Sequence, residues 1–131
     1  MTYTGETNER GEKHGQGIIE FAGGYRYEGQ WKDGKRHGQG VAEYANGDRY
    51  EGEFEDGKRH GQGVYEYAKA YRSTYEGLHG SRWETRNHVR YEGQWKDGEK
   101  HGQGIIEFAD GHDQIGQFKD GEPHGQGVGE Y

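Results

Sequence analysis

Five histidines, each opening a His-Gly-Gln-Gly tetrad, are the first residues in this sequence that could bind a metal. They are His14, His37, His60, His101 and His124. On successive β-hairpins, equivalent imidazoles would be about 10 Å apart, because neighbouring strands are about 4.8 Å apart. Zinc needs its nitrogen ligands about 2.0–2.1 Å from one shared ion. We therefore predict a structural role for these histidines near the hairpin turns, with no metal site and no cofactor.

Repeated glutamates could serve as acid and base in pairs, as carboxyl groups do in glycosidases. Two series recur: Glu28, Glu51, Glu76 and Glu92, and Glu20, Glu43, Glu66 and Glu107. We expect Glu43 to face Glu51 in a solvated acidic ladder, which offers no unique pocket. The sequence also lacks cysteine, a Gly-Lys-Ser/Thr phosphate loop and a serine elbow. These features predict a protein that is not an enzyme.

The composition leaves two interpretations, a disordered chain or an unusual fold. Hydrophobic residues make up 27% of the 131 residues, there are 27 glycines, and the net charge is −7. Such values are typical of disorder, but aromatic residues reach 14% and recur at fixed intervals, which favours a folded chain. The acidic balance argues against a nucleic-acid partner, which needs clustered Lys and Arg. No apolar run suits a membrane span or a signal peptide, so we expect a soluble cytoplasmic protein or a piece of one.

The elements that would carry these residues follow from an internal repeat. The tetrads are separated by 23, 23, 41 and 23 residues, and the triad Tyr-Glu-Gly begins at Tyr27, Tyr50, Tyr75 and Tyr91. One full unit, residues 27–49, is too short for two helices and too rich in glycine for a stable one. Two short strands with two turns fit it well, so each unit is predicted to be a β-hairpin.

The register within a unit follows from its turn. Asp33-Gly34 predicts a two-residue turn, because both central positions favour positive φ. Counting outward places Gly29 opposite Gly38 and Tyr27 opposite Gly40. Large rings lying over neighbouring glycines would protect the bare backbone and fix the register.

A three-residue loop is predicted between units, at Asn46-Gly47-Asp48. It pairs Tyr44 with Tyr50 and Gly40 with Phe54. A two-residue loop would turn the next strand over and bring its polar side onto the aromatic face, so three residues are preferred.

Strand alternation then gives the fold class, an all-β, elongated single-layer antiparallel sheet of stacked β-hairpin repeats. One face is aromatic and glycine-rich, with Tyr27, Gly29, Trp31, Gly38, Gly40, Ala42 and Tyr44. The other is polar apart from Val41. A variable position on the aromatic face would tune its shape; it is occupied by Ile19, Ala42, Tyr65 and Ile106.

The pattern Tyr-x-Gly-x-Trp/Phe-x-x-Gly-x-x-His-Gly-x-Gly resembles the MORN (membrane occupation and recognition nexus) repeat over nearly the whole chain. The resemblance implies a β-hairpin meander with a concave groove, and a role as a protein-interaction or membrane-apposition module. We expect one array with units at about 3–26, 27–49, 50–74, a degenerate 75–90, 91–113 and 114–131. An exposed edge strand at each end of the array would allow an end-to-end homodimer.

The repeat is interrupted over Ala68–Arg90, which lacks the Asp-Gly turn and the tetrad. Its side chains carry a net charge of about +3 by simple counting. It is either a specificity element or a tolerated insertion, and the sequence leaves open whether it pairs into the sheet.

The preferred function is a non-catalytic scaffold that binds a partner peptide or helix on the aromatic-glycine groove. The predicted partner-binding residues are Tyr27, Trp31, Tyr44, Tyr50, Phe54, Tyr65, Tyr67, Trp83, Tyr91 and Trp95. One alternative is an anionic-lipid or membrane-associating module using Arg72, Arg82, Arg86 and Arg90. Another is an engineered or consensus scaffold without a natural function, since nine residues from His14 and from His101 are identical. Recent repeat duplication would give the same identity.

Overall fold

The computed structural model describes the backbone of residues 1–76 and 83–130, and the side chains of residues 1–68 and 89–121. Its ten strands form one antiparallel sheet in chain order, β1-β2-β3-β4-β5-β6-β7-β8-β9-β10. The strands are β1 (Thr2–Thr7), β2 (Lys13–Glu20), β3 (Arg26–Lys32), β4 (Lys35–Glu43), β5 (Arg49–Glu55), β6 (Lys58–Glu76), β7 (Trp83–Lys96), β8 (Glu99–Phe108), β9 (Asp113–Lys119) and β10 (Glu122–Glu130). The predicted all-β sheet of stacked hairpins is confirmed.

The two-residue turn at Asp33-Gly34 is confirmed, with φ of 47° and 87° and Lys32 paired with Lys35. The register predicted beyond it is wrong by two residues, because Gly29 pairs with Gly40 and Tyr27 with Ala42. A bulge causes the shift. Gly38 has a φ of 82°, and the Gln30 side-chain oxygen accepts the backbone N–H of Gln39 at 2.7 Å.

The loop between units has the predicted three residues, but it begins one residue earlier, at Ala45. Tyr44 N–H donates to the Asp48 carbonyl and Gly47 N–H to the Tyr44 carbonyl, both at 2.9 Å. Ala42 therefore pairs with Tyr50, instead of the predicted pairing of Tyr44 with Tyr50. Both register errors are even numbers of residues, so the assignment of side chains to the two faces is unaffected.

A row of glycines crosses nine strands. Gly5, Gly17, Gly29, Gly40, Gly52, Gly63, Gly93, Gly104 and Gly116 pair in that order. Tyr27 precedes Gly29 by two residues, and its ring lies over Gly40, the next glycine of the row. A Cβ at Gly40 would overlap that ring. The predicted packing of rings over glycines is thus present, although through a different register.

A core one side chain thick lies on this face. Aromatic rings meet edge to face along the sheet, with centroids 5.0 Å apart for Tyr27 and Trp31 and 5.1 Å apart for Tyr27 and Phe54. This geometry suits the positive ring edge and the negative ring face. The buried apolar residues are Ile19, Tyr27, Trp31, Ala42, Tyr50, Phe54, Tyr91, Trp95, Ile106, Phe108 and Phe118. Ring contacts between hairpins take the place of a second layer.

The polar face carries a ladder of alternating charge instead of the predicted acidic ladder. Glu43 pairs with Arg49, and Glu51 lies opposite Val41. The Arg49 guanidinium is 2.9 Å from the Glu51 carboxylate and 3.6 Å from that of Glu66. The expected Glu43–Glu51 pairing was wrong because the loop position shifts the register by two residues.

The interrupted segment pairs into the sheet. The strands β6 and β7 continue past the repeat, with pairs running from Tyr71–His88 to Glu76–Trp83 after a register shift that follows Glu66. The backbone of residues 69–76 and 83–88 therefore forms a hairpin extension, which we call the arm. The side chains of the arm lie outside the described residues.

Candidate binding surface on the aromatic face

Six of the ten predicted partner-binding residues lie in the core. Tyr27, Tyr50 and Tyr91 are fully buried. The ring at the fourth position after each is also buried, namely Trp31, Phe54 and Trp95. These side chains hold the hairpins together, and their burial leaves them little surface for a partner.

The polar atoms of the buried rings are satisfied by the sheet itself. The hydroxyl of Tyr27 donates to the Gln30 carbonyl at 2.7 Å, and Tyr50 and Tyr91 make the same contact three residues on. The indole N–H of Trp31 donates to the Gly17 carbonyl at 3.0 Å. Burial raises the pKa of all three tyrosines well above the usual value, so the phenols stay neutral hydrogen-bond donors.

Three other predicted residues, Tyr44, Tyr65 and Tyr67, join Tyr25 in a partly buried row beside the core. We call these four residues the tyrosine row. Tyr44 stacks on Tyr65 with centroids 5.9 Å apart, and Tyr65 meets Tyr67 at 4.7 Å. Tyr25 lies 5.7 Å from Tyr44. The tenth predicted residue, Trp83, is in the part of the chain whose side chains are not described.

Tyr65 occupies the variable position that carries Ile19, Ala42 and Ile106 in the other units. The larger ring brings Tyr44 and Tyr67 into one cluster and also approaches Trp95, with centroids 6.0 Å apart. This confirms that the position lies on the aromatic face. It also makes the third unit different from its neighbours.

A row of cations on the aromatic face was missed by the sequence analysis. The residue before each histidine is Lys13, Arg36, Arg59 or Lys100, and each packs its charge over aromatic rings. The Arg59 guanidinium is 4.8 Å from the Trp95 centroid and 5.1 Å from that of Tyr65. These distances fall within the range of cation–π attraction. The sequence does contain this pattern, since four of the five tetrads are preceded by Lys or Arg and only the last is preceded by another residue, Pro123.

The cation row also joins successive hairpins. The Arg36 side chain donates to the Tyr25 hydroxyl and to the Gly57 carbonyl in the next turn. Arg59 donates to the Gly98 carbonyl at 2.7 Å. The backbone carbonyl of each cationic residue also accepts a hydrogen bond from the turn of the next hairpin. For example, the N–H of Gly57 donates to the Arg36 carbonyl at 2.9 Å.

A cleft of about 270 Å³ opens where the tyrosine row meets the last two cations. We call it the tyrosine cleft. Its lining residues are Arg59, Tyr65, Tyr67, Trp95, Gly98, Glu99, Lys100, Asp120 and Gly121. Lys100 Nζ donates to the Tyr67 hydroxyl at 2.8 Å. Burial, with a smaller contribution from the Arg59 charge, lowers the pKa of Lys100 to about 8.

Asp48 connects the tyrosine row to the base of the arm. Its carboxylate is buried and accepts the Tyr65 hydroxyl at 2.7 Å and the Ala68 backbone N–H at 2.9 Å. Buried carboxylates are stable only when hydrogen-bonded, so these two donors fix where β6 leaves the repeat.

The histidines of the tetrads lie near the hairpin turns. His14 Nδ1 accepts the Asp33 backbone N–H at 3.3 Å, and His60 Nε2 is 3.0 Å from the Glu55 carboxylate. Within the residues that the structure describes, no group of three or more potential ligands could hold a metal ion.

The residues of the lipid alternative are only partly described. The Arg90 guanidinium is 3.0 Å from the Glu92 carboxylate in the charge ladder. The side chains of Arg72, Arg82 and Arg86 fall outside the described residues. No helix in the described ranges is long and apolar enough to cross a membrane.

The repeated hairpins, the glycine row and the one-layer aromatic core define a β-hairpin repeat protein. The family model of the MORN repeat matches residues 9–24, 27–49, 50–69, 91–113 and 115–128. The chain therefore belongs to the MORN repeat family, whose members are generally non-catalytic modules that associate with proteins or membranes.

A relative from Drosophila melanogaster, "MORN repeat-containing protein 4 homolog", is 56% identical over 32 residues. The matched stretch covers 24% of this chain and 16% of the relative. The chain thus matches only a small part of the length of that protein.

Proposed function

We propose that this chain is a non-catalytic binding module that holds a partner peptide or helix on its aromatic face, along the tyrosine row. The observation that carries the proposal is the partly buried tyrosine row, in which Tyr25, Tyr44 and Tyr65 pack against the core and Tyr67 contacts Tyr65. Tyrosine gives a large, stiff contact surface with a polar end, and it is enriched among residues that dominate binding energy.

The structure supports separate roles for two sets of aromatic side chains on this face, one in stability and one in binding. The buried Tyr27, Trp31 and their equivalents stabilise the sheet, and the tyrosine row remains in contact with solvent. The cations Arg36 and Arg59 lie among those rings. A partner with apolar and acidic side chains complements such a surface.

A peptide selection followed by a binding assay tests this proposal. Twelve-residue peptides displayed on phage are selected on the immobilised chain, and the enriched peptides are labelled for fluorescence anisotropy. Tyr44→Ser and Tyr67→Ser, each shown to be folded by circular dichroism, should weaken binding about tenfold, a typical loss when an aromatic contact is removed.

The matched control is Ile105→Ser, since Ile105 is 39% exposed and lies on the polar face. It should bind the peptides as the unmodified chain does. Loss of binding in Ile105→Ser with full binding by both tyrosine variants would place the site on the polar face and overturn the proposal. Sedimentation with phosphatidylserine vesicles, in the absence of any selectable peptide, would favour the lipid alternative instead.

A further inference from the structure

The tyrosine cleft contains two cations held in place by aromatic rings. The Arg59 guanidinium lies over Trp95 and Tyr65. Lys100 Nζ lies 5.5 Å from the centroids of both Tyr67 and Tyr91. These ring contacts, with the hydrogen bonds of Arg59 to the Gly98 carbonyl and of Lys100 to the Tyr67 hydroxyl, hold both charged groups in position.

Arg59 keeps donors for a ligand. A guanidinium has five N–H donors in a planar fork that matches a carboxylate, and the Gly98 carbonyl accepts from one of its nitrogens. At the equivalent position one hairpin earlier, Arg36 is held by both the Tyr25 hydroxyl and the Gly57 carbonyl. Among the described residues, the Arg59 guanidinium thus has one hydrogen-bond acceptor where that of Arg36 has two, and it lies beside the wider cluster that Tyr65 creates.

The rim of the cleft limits the charge of the ligand. Glu99, the first residue of β8, and Asp120, in the turn between β9 and β10, are exposed lining residues. Their carboxylates oppose a second negative charge near the cations, since Coulomb repulsion at close range amounts to about 1 kcal/mol or more per pair at 4 Å even in water. A singly charged carboxylate fits this balance better than a phosphate dianion.

We propose that the tyrosine cleft binds one carboxylate of a partner peptide, an Asp or Glu side chain, between Arg59 and Lys100, with Tyr65 and Tyr67 contacting the adjacent apolar side chain. This inference rests on the proposed function and specifies the chemistry of the ligand. A carboxylate there would be attracted to both positive charges and could accept a charge-assisted hydrogen bond from either. Burial, with a smaller contribution from the Arg59 charge, lowers the pKa of Lys100, so a bound anion would favour its ammonium form.

The test uses the full chain with two small probes, acetyl-Glu-Tyr amide and acetyl-Gln-Tyr amide. Lysines are labelled by reductive ¹³C-methylation, and the Lys100 signal is assigned with Lys100→Met. NMR titration should show at least a fivefold tighter complex with the Glu probe, because a carboxylate adds a charge-assisted hydrogen bond. The Glu probe should also raise the pKa of Lys100, since a bound anion stabilises the ammonium.

Lys100→Met keeps an unbranched apolar side chain and removes the ammonium near Tyr67 and Tyr91, so it should abolish the difference between the two probes. Lys13→Met is the matched control, because Lys13 lies over Tyr3 and Trp31 at 5.5 Å and 5.6 Å in the first hairpin. That variant should retain the preference for Glu.

Equal binding of the Glu and Gln probes would overturn the carboxylate site and leave the peptide-binding proposal intact. If inorganic phosphate raises the pKa of Lys100 more than acetate does, the assignment of the ligand as a carboxylate is overturned. If the chain binds the Glu probe more tightly than the Gln probe but no selected peptide binds the tyrosine row, the carboxylate site is supported and the proposed function is overturned.

Discussion

The ring of Tyr27 lies over Gly40 of the neighbouring strand so closely that a Cβ at residue 40 would overlap it. The same contact recurs between Tyr50 and Gly63. Each contact joins the two strands of one hairpin, and the ring shields the glycine backbone from water in the absence of a second layer. Glycine is therefore required in these positions by the space that the tyrosine takes.

Gly40→Ala should destabilise the chain by about 1–3 kcal/mol, the usual cost of overpacking a core. The added methyl must displace the buried Tyr27 ring and its hydrogen bond to the Gln30 carbonyl. Gly23→Ala is the control, because Gly23 lies in an exposed turn, its φ is not positive and, among the described residues, a Cβ there would meet nothing within 4 Å. Urea denaturation followed by tryptophan fluorescence measures both. Equal stability of the two variants would contradict the role of the ring.

The sequence was sufficient for the fold class because the repeat carries a period-two alternation. Tyr27, Gly29 and Trp31 are separated by single polar residues, which puts all three on one face regardless of which strand pairs with which. The register was not predictable in this way. The bulge depends on the contact of the Gln30 side chain with the Gln39 backbone, which is nine residues away in sequence and has no signature in a hairpin turn.

The binding residues were harder to predict than the fold. Ten aromatic residues were predicted to contact a partner, and of these Tyr44 and Tyr65 are partly exposed. Tyr27 and Trp31 are buried because each ring packs against the ring of the adjoining hairpin, a contact between units that counting within one unit does not reveal. The cation row was missed for a related reason, since Arg36 and Arg59 contact rings of the adjoining hairpin, Phe54 and Trp95.

Asp48 and Tyr65 should be energetically coupled. Tyr65→Phe removes the hydroxyl that donates to the buried carboxylate and should cost about 1.5–3 kcal/mol, the range for hydrogen bonds to charged groups. Asp48→Asn removes the charge. If the hydrogen bond accounts for the loss, the double variant will be less destabilised than the sum of the single variants by about 1 kcal/mol or more. Additive losses in thermal denaturation would show that the two residues act independently.

Lys100 should make stability rise with pH in a defined window. Its pKa in the folded chain is about 8, against 10.5 as the ordinary value. Between these values the unfolded chain binds the proton and the folded chain does not, so unfolding takes up a proton and becomes less favourable as pH rises. Urea midpoints measured from pH 7.5 to about 10 should therefore increase more in the unmodified chain than in Lys100→Met. In Lys13→Met the urea midpoint should still increase with pH. If that increase were absent from Lys13→Met, Lys100 would not be its cause.

The buried tyrosines should reverse this trend at higher pH. Burial raises the pKa of Tyr27, Tyr50 and Tyr91 in the folded chain, while the unfolded chain ionises near the ordinary value of about 10. The stability that these groups contribute is complete below pH of about 10 and is lost as pH rises further, because only the unfolded chain then releases the protons. Phenolate absorbance at 295 nm and far-UV circular dichroism, followed together, should show part of the absorbance appearing only as the sheet unfolds. Smooth ionisation of all eleven tyrosines with the circular dichroism unchanged would mean that the rings are accessible to solvent and that the one-layer core is not sealed by its neighbours.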